Sequence, residues 1–292
     1  MLLAIDVGNT ETVVGLFLDG PDELSGAAGG VPFAGSPGAV PAGAPDRRAV
    51  APEPAGLVHH WRLSTVGERT ADEHALLLSQ LLDLDGLVAE EVVTGIAVTS
   101  SVPLVTSALR EMADRWYDVP CVVLGPGVRS GMPILYDNPK EVGADRIANA
   151  IGAYDLYGGP CIVVDMGTAT TFDAISAAGE YLGGAIAPGV AISMDALFRH
   201  AAALRRVELV EPRSVIAKST VESIQSGVLY GFAGQVDGVC ERFQAELGPC
   251  TVVATGGLSE VIAPFSQRID YREPWLTLHG LRLVFERSTG SG

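Results

Sequence analysis

The feature that most restricts the fold of this chain is a short pattern that occurs twice. Asp6-Val7-Gly8-Asn9-Thr10 joins two apolar, β-prone runs, and Asp165-Met166-Gly167-Thr168 joins two more. Each copy predicts a strand, a glycine turn and a second strand. The four runs are Leu2–Val7, Glu11–Leu18, Cys161–Asp165 and Thr171–Ser176. Since further strands and helices follow each copy, the sequence predicts a duplicated α/β fold with a cleft between its two halves.

The remaining segments alternate between strand and helix patterns, which is typical of layered α/β proteins. We predict further strands at Leu57–Leu63, Gly95–Thr99, Cys121–Leu124, Tyr181–Ala187 and Thr251–Ala254. We predict helices at Ala71–Leu84, Leu104–Trp116, Gly143–Tyr157 and Ala191–Ala203, one or two helices in Val221–Leu247, and a last helix or mixed end in Leu276–Phe285. The predicted halves are residues 1–140 and 141–292. A Pro/Gly/Ala-rich stretch at about 20–56 is interpreted as a flexible insertion in the first half.

Composition excludes some partner classes and leaves others open. The net charge of -16 argues against a nucleic-acid-binding protein, which normally carries a basic patch. An anionic nucleotide is still acceptable, because backbone N–H groups and a metal ion can meet its phosphates locally. The N-terminal run resembles a core strand more than a signal peptide, and no segment is long and apolar enough for a membrane span. We therefore expect a soluble, cytoplasmic protein without a membrane partner.

The two turns suit phosphate binding. A glycine exposes backbone N–H groups without an obstructing Cβ, Asn9 and Thr10 add side-chain donors, and Asp6 offers an oxygen to Mg²⁺ or its water shell. For this turn alone, an ordinary Asn-containing hairpin turn is an equally good interpretation. The second copy, with Asp165 and Thr168, favours two turns around one metal–nucleotide, as phosphoryl transfer requires.

A third pattern, Gly143-Ala144-Asp145-Arg146, stands at a predicted helix start. A carboxylate there is stabilised by unpaired N–H groups, and it can accept the proton of a substrate hydroxyl. Arg146 could bind a substrate carboxylate. In isolation, an Asp paired with its neighbouring Arg would be the better interpretation. The hydroxyl pairs Ser64-Thr65 and Ser100-Ser101 are interpreted as turns or helix caps.

Taken in order, these residues resemble the type III pantothenate kinases of the actin/sugar-kinase/Hsp70 ATPase superfamily. The resemblance covers Met1 to about Gly20 and Leu57 to nearly the C-terminus. The matching strings are Asp6–Thr10, Arg69-Thr70-Ala71-Asp72-Glu73, Glu141-Val142-Gly143-Ala144-Asp145-Arg146-Ile147 and Asp165-Met166-Gly167-Thr168-Ala169-Thr170. It implies a duplicated ribonuclease H-like fold with two mixed sheets. The stretch at 20–56 departs from the short connection that is normal in the family.

The resemblance also implies an activity and its residues. The family transfers the γ-phosphate of ATP to pantothenate, the first step of coenzyme A synthesis, with Mg²⁺ and a monovalent cation, K⁺ or NH₄⁺, as homodimers. By position, Asp145 would be the catalytic base and Asp165 the ligand of the monovalent cation. ATP would be bound by Asp6, Val7, Gly8, Asn9, Thr10, Glu11, Thr12, Val13 and Thr168. Pantothenate would be bound by Tyr136, Gly143, Ala144, Asp145, Arg146 and Thr220.

Two other functions are compatible with the same fold. A sugar kinase of the superfamily would share both turns, but it does not account for Gly143–Arg146 together with Tyr136. A non-catalytic regulatory accessory factor could keep the fold after losing its catalytic groups. Because Asp6, Asp145 and Asp165 are all present, the sequence favours the enzyme.

Overall fold

The computed structural model describes residues 1–18, 52–125, 128–201 and 204–290. Most of the predicted insertion at 20–56 therefore lies outside the described residues. The described chain forms two compact units. Unit 1 contains residues from 1–18, 53–152 and 275–290, and unit 2 contains residues from 153–274.

Each unit is built on a five-stranded mixed sheet. In unit 1 the strands are β1 (Leu2–Val7), β2 (Glu11–Phe17), β3 (Leu57–Ser64), β4 (Gly95–Ser100) and β5 (Cys121–Val123), in the order β3-β2-β1-β4-β5. In unit 2 they are β6 (Cys161–Met166), β7 (Ala169–Ile175), β8 (Tyr181–Pro188), β9 (Thr251–Thr255) and β10 (Tyr271–Arg272), in the order β8-β7-β6-β9-β10. In both sheets the first three strands pair antiparallel and the last two join in parallel.

Helices pack on both sheets. They are α1 (Ala71–Leu84), α2 (Ala89–Val92), α3 (Pro103–Met112), α4 (Ala144–Tyr157), α5 (Val190–His200), α6 (Thr220–Leu247), α7 (Ser259–Ile262) and α8 (Leu276–Thr289). A π-helical turn, Ala113–Tyr117, continues α3. The region predicted as one or two helices is the single 28-residue helix α6, and the end of the chain is helical. Within the described ranges, no helix is long and apolar enough to cross a membrane.

The two sheets match strand by strand, which confirms the predicted duplication. Strands β1 and β6 have the same sequence of burial along their six residues, and Asp6 and Asp165 are the fifth residue of each. The pairing of the second strand with the third slips once in each unit, between Leu16 and Phe17 and between Ala174 and Ile175. A repeated irregularity of this kind indicates that the same backbone design was used twice.

Each sheet has its own apolar core on one face. In unit 1, Ile5 and Val7 of β1 belong to a buried cluster with residues of α1 and α3. In unit 2, Ile162 and Val164 of β6 belong to a second cluster with residues of α6. Alternate residues of a strand point to opposite faces, so Asp6 and Asp165 lie on the faces away from these two clusters.

The other face of the first sheet is covered by α8, the last helix of the chain. A Cβ added to Gly95 of β4 would lie 2.2 Å from Phe285, and one added to Gly15 of β2 would lie 2.8 Å from Leu278. These two glycines therefore make the space that α8 fills. The compact units thus differ from the predicted halves, because α8 packs with unit 1. The predicted boundary at residue 140 divides the two copies of the duplicated sequence, and it stays a prediction.

Helix α4 enters unit 1 by packing directly on α8. A Cβ added to Gly280 would lie 1.9 Å from the carbonyl oxygen of Ala148, and one added to Gly152 would lie 2.8 Å from that of Leu276. The Thr277 hydroxyl beside this contact donates to Oδ1 of the buried Asn149 at 2.7 Å. The two helix backbones approach so closely that only glycine fits at these positions.

Replacing Gly280 with Ala should destabilise unit 1, because the methyl group would meet a backbone carbonyl that cannot move independently of α4. We expect a loss of about 1–3 kcal/mol of unfolding free energy, the usual cost of overpacking. The matched control is Gly234→Ala in α6, where an added Cβ meets nothing within 4 Å. This variant should gain about 0.5–1 kcal/mol from helix propensity. Urea unfolding of both variants tests the crossing, and equal stabilities would contradict it.

Candidate functional site

The turn between β1 and β2 presents donors at the surface of unit 1. Asn9 and Thr10 are exposed, and Gly8 is half-buried. The Gly8 N–H donates to the Glu11 carbonyl at 2.9 Å, which closes the turn. A Cβ on Gly8 would lie 3.1 Å from that same carbonyl oxygen. The predicted phosphate turn is therefore a tight connection whose central residues face solvent.

Two hydroxyl residues that the sequence suggested only as turns or caps hold this turn from its sides. The Thr65 hydroxyl donates to the Gly8 carbonyl at 2.8 Å, and its backbone N–H donates to the Thr10 carbonyl at 3.0 Å. Ser101 donates its N–H to the Val7 carbonyl at 3.1 Å, and its hydroxyl lies 3.3 Å from Asn9 Oδ1. Both residues directly follow strands that flank the β1–β2 hairpin. That position is the sequence signal by which they could have been found.

The string Arg69–Glu73 forms the start of α1. Thr70 is the N-cap, and it exchanges hydrogen bonds with Glu73, whose N–H donates to the Thr70 hydroxyl at 3.3 Å and whose carboxylate accepts from the Thr70 N–H at 2.8 Å. These bonds lower the pKa of Glu73. Asp72 accepts from the Trp116 indole N–H at 2.9 Å. Burial, with the charge of Arg69 nearby, lowers the pKa of His74 to about 4, so His74 is neutral near pH 7. Much of this family string is therefore a capping motif.

The string Gly143–Arg146 places one carboxylate in solvent at the start of α4. Asp145 is exposed, and its Oδ1 accepts from the Arg146 N–H at 2.9 Å. A Cβ on Gly143 would lie 2.4 Å from this oxygen, so glycine leaves room for the carboxylate to fold over the first helical turn. The side chain of Arg146 is buried, whereas Tyr136 in the preceding segment is half-buried. The arrangement can accept a proton at Asp145 from a group that approaches from solvent.

In unit 2, the corresponding turn is enclosed by two glycines. Gly256, directly after β9, has φ +86°, and a Cβ there would lie 2.4 Å from Asp165 Oδ1. Gly189, directly after β8, has no room for a Cβ, because it would lie 2.2 Å from the carbonyl oxygen of Thr168. The Asp165 carboxylate therefore lies against Gly256, and the carbonyl oxygens of Gly167 and Thr168 lie against Gly189. Oxygen ligands of this kind suit a hard cation.

The predicted site residues fall into one group in each unit. Unit 1 contains the ATP residues 6–13 and, for pantothenate, Tyr136 and Gly143–Arg146; unit 2 contains Asp165, Thr168 and Thr220. Thr220 is the exposed first residue of α6, next to the N-cap Ser219. That these two groups meet in one cleft stays a prediction.

A duplicated five-stranded sheet with an Asp-x-Gly turn in each copy is the actin/sugar-kinase fold, and solved structures share it. The activator of 2-hydroxyisocaproyl-CoA dehydratase from Clostridium difficile, with bound ADPNP, matches with a TM-score of 0.51 at 13% identity over 99% of this chain and 96% of its own. Component A of (R)-2-hydroxyglutaryl-CoA dehydratase from Acidaminococcus fermentans matches with a TM-score of 0.53 at 13% identity over 99% and 98%. At this identity the likeness concerns the fold alone.

The chain belongs to the type III pantothenate kinase family. The model of that family matches residues 50–242. The type III pantothenate kinase of Streptomyces avermitilis is 52% identical, over 99% of this chain and 98% of its own length. That of Thermobifida fusca is 49% identical, over 99% and 100%. The family membership predicted from the motifs is therefore confirmed.

Proposed function

We propose that this protein is a cytoplasmic kinase that uses ATP to phosphorylate pantothenate to 4′-phosphopantothenate, the first step of coenzyme A synthesis. One observation carries the proposal: the Asp145 carboxylate is exposed over the first turn of α4, in a chain that aligns with type III pantothenate kinases along nearly its whole length. The relatives bear this name, and aspartate is a residue type that can serve as the base of this reaction.

The proposed reaction transfers one phosphoryl group. The hydroxyl oxygen of pantothenate forms a bond to the γ-phosphorus, while the bond from that phosphorus to the β,γ-bridging oxygen breaks and ADP leaves with the bridging oxygen. Asp145 accepts the hydroxyl proton. Arg146 binds the substrate carboxylate. The other residues proposed to line the pantothenate pocket are Tyr136, Gly143, Ala144 and Thr220.

The nucleotide would be held at residues 6–13 and at Thr168. The exposed turn at Gly8–Thr10 offers backbone and side-chain donors, as phosphate oxygens need. Mg²⁺ typically takes one or two carboxylates and completes its shell with phosphates and water. Asp6 fits this role, because it is half-buried near the end of β1 and stands two residues before Gly8 of the turn. When bound, Mg²⁺ would neutralise charge on the transferred group.

A monovalent cation, K⁺ or NH₄⁺, is proposed at Asp165. The donor type fits, since a carboxylate lies against Gly256 and turn carbonyl oxygens lie against Gly189. A side chain at Gly256 would clash with the Asp165 carboxylate. The cation would supply positive charge at the unit 2 turn, where Thr168 is proposed to contact the nucleotide.

A homodimer is proposed, as the family resemblance implies, and we assign its surface to large apolar side chains that unit 2 exposes. They lie on β8, α5, the segment before α6 and its first turn, and comprise Leu182, Ile186, Ile192, Leu197, Val210, Val215, Ile216 and Val221. Exposed apolar surface of this kind often marks an association site. Thr220 lies beside Val221, so a partner there would also reach the proposed pantothenate pocket.

Asp145→Asn should remove turnover and keep nucleotide binding, because the amide cannot accept the hydroxyl proton. We expect kcat to fall by a factor of about 10²–10⁴. The measurement is ADP formation with pantothenate, and with a panel of small sugars as alternative acceptors. The control is Asp114→Asn, an exposed carboxylate of the same unit. Near-normal turnover of Asp145→Asn would remove Asp145 from its role, and a wild-type protein that bound ATP without turning over pantothenate would favour the regulatory function.

Exchange of K⁺ for Na⁺ at constant ionic strength should abolish most of the activity. Asp165→Asn should raise the K⁺ concentration needed for half-maximal rate, because it removes the charged ligand. Rates measured across a K⁺ titration test both statements. Full activity in Na⁺ alone would contradict the proposed K⁺ or NH₄⁺ site at Asp165, without affecting the role proposed for Asp145.

Ile216→Asp should weaken the proposed dimer, since Ile216 is 83% exposed in the single chain and a charge there opposes apolar burial. Light scattering coupled to size-exclusion chromatography should give a dimer mass for the wild type and a smaller mass for the variant. Leu84→Asp is the control, because Leu84 is equally exposed, at 81%, but lies in unit 1. A wild-type monomer at micromolar concentration would overturn the proposal.

A further inference from the structure

Thr65, the residue directly after β3, is hydrogen-bonded to the β1–β2 turn and to the first part of β2. Its hydroxyl donates to the Gly8 carbonyl at 2.8 Å, its N–H donates to the Thr10 carbonyl at 3.0 Å, and its Oγ1 lies 2.9 Å from Oγ1 of Thr12. We propose that Thr65 is a positioning residue for the nucleotide: it fixes the Gly8–Asn9 peptide so that the Asn9 N–H faces a phosphate oxygen. This inference rests on the proposed binding of ATP by this turn.

Covalent geometry connects the hydroxyl to the N–H group. In a planar trans peptide, the carbonyl and the N–H of the same peptide point in opposite directions. Since the Gly8 carbonyl points to Thr65, the Asn9 N–H points away from Thr65 and from β3. Asn9 itself is exposed. The Thr65 hydroxyl therefore directs this backbone donor away from β3, at an exposed residue of the turn, where a phosphate oxygen can accept from it.

The turn needs such a contact because glycine is conformationally free. Gly8 lacks a Cβ, so the peptide that follows it can rotate at little steric cost. A rotated peptide would present the Gly8 carbonyl to the phosphate, and two oxygens with negative charge would repel each other. One hydrogen bond to the Gly8 carbonyl is the simplest way to keep the Asn9 N–H directed away from β3.

The direction of the hydroxyl chain is also determined. A threonine hydroxyl carries one hydrogen, and that of Thr65 is used on the Gly8 carbonyl. Thr12 must therefore donate to Thr65 Oγ1. Thr12 is buried in β2, so its own position is fixed by packing. The two hydrogen bonds, from Thr12 to Thr65 and from Thr65 to Gly8, therefore connect the turn to a fixed residue of the sheet.

The duplicated sheet shows that the hydroxyl is specific to unit 1. Gly189 occupies the equivalent position in unit 2, directly after the third strand, and its backbone packs on the carbonyl oxygens of Gly167 and Thr168. No side chain fits there. The unit 1 turn contains one more residue between its strands, Asn9, and this extra residue carries the N–H that Thr65 directs. The Thr65 hydroxyl and the additional turn residue Asn9 therefore occur in the same unit, and neither has a counterpart in unit 2.

The experiment compares three variants by their dissociation constants for Mg-ATP, measured by calorimetry without pantothenate. Thr65→Val keeps the shape and the backbone N–H but removes the hydroxyl. It should weaken binding about five- to tenfold, the worth of one hydrogen bond. Thr65→Ser keeps the hydroxyl and should bind within about twofold of the wild type. Thr106→Val, which removes a hydroxyl bond of 3.1 Å to the Val102 carbonyl in α3, is the matched control and should bind normally.

The steady-state constants of the same variants distinguish a positioning role from a structural one. Thr65→Val should raise KM for ATP and leave KM for pantothenate unchanged. Wild-type affinity in Thr65→Val would overturn the proposal, and so would a Thr65→Ser variant as weak as Thr65→Val, because the methyl group would then be the part that matters. A wild type that bound Mg-ATP but did not phosphorylate pantothenate would refute the proposed function while Thr65 kept its role.

Discussion

The close crossing of α4 and α8 is the contact on which the arrangement of unit 1 depends. Gly280 lies directly against the Ala148 carbonyl, so the two helix backbones are in contact without intervening side chains. Helix α8 is in turn held on the first sheet by Phe285 at Gly95 and by Leu278 at Gly15. Three glycines therefore fix α4, and with it Asp145 at its first turn, relative to the strand that carries Asp6.

The two copies of the turn show how one backbone design acquired two chemistries. Asp6 and Asp165 occupy the same position in β1 and β6, with the same burial. In unit 1 the residue after the third strand is Thr65, and its hydroxyl directs the turn; in unit 2 it is Gly189, and the backbone itself closes on the carbonyl oxygens. The first turn is therefore proposed to present an N–H donor, and in the second the carbonyl oxygens of Gly167 and Thr168 lie against Gly189. Donors suit phosphate and oxygens suit a cation.

Local patterns were enough to predict the duplicated strands, the turns and helix α4, because alternation and glycine turns act over a few residues. They were not enough for α8, which reaches the first sheet from the other end of the chain. The glycines of α6 left open whether it was one helix or two, and packing against the second core keeps it continuous. Likewise, Thr65 and Ser101 were noted as members of hydroxyl pairs. They contact the turn because β3 and β4, the strands that they follow, flank the β1–β2 hairpin in the sheet.

The net charge of the chain makes the cations part of the argument. A protein of charge -16 whose proposed site residues include Asp6, Asp145 and Asp165 would repel a nucleoside triphosphate if charge alone decided. Backbone donors such as the Asn9 N–H attract phosphate without adding a basic patch, but they are partial charges. The remaining repulsion has to be offset by ions, and hard cations bind where carboxylate and carbonyl oxygens are gathered. The aspartates that oppose the nucleotide alone would therefore favour it once the proposed Mg²⁺ and monovalent cation accompany it.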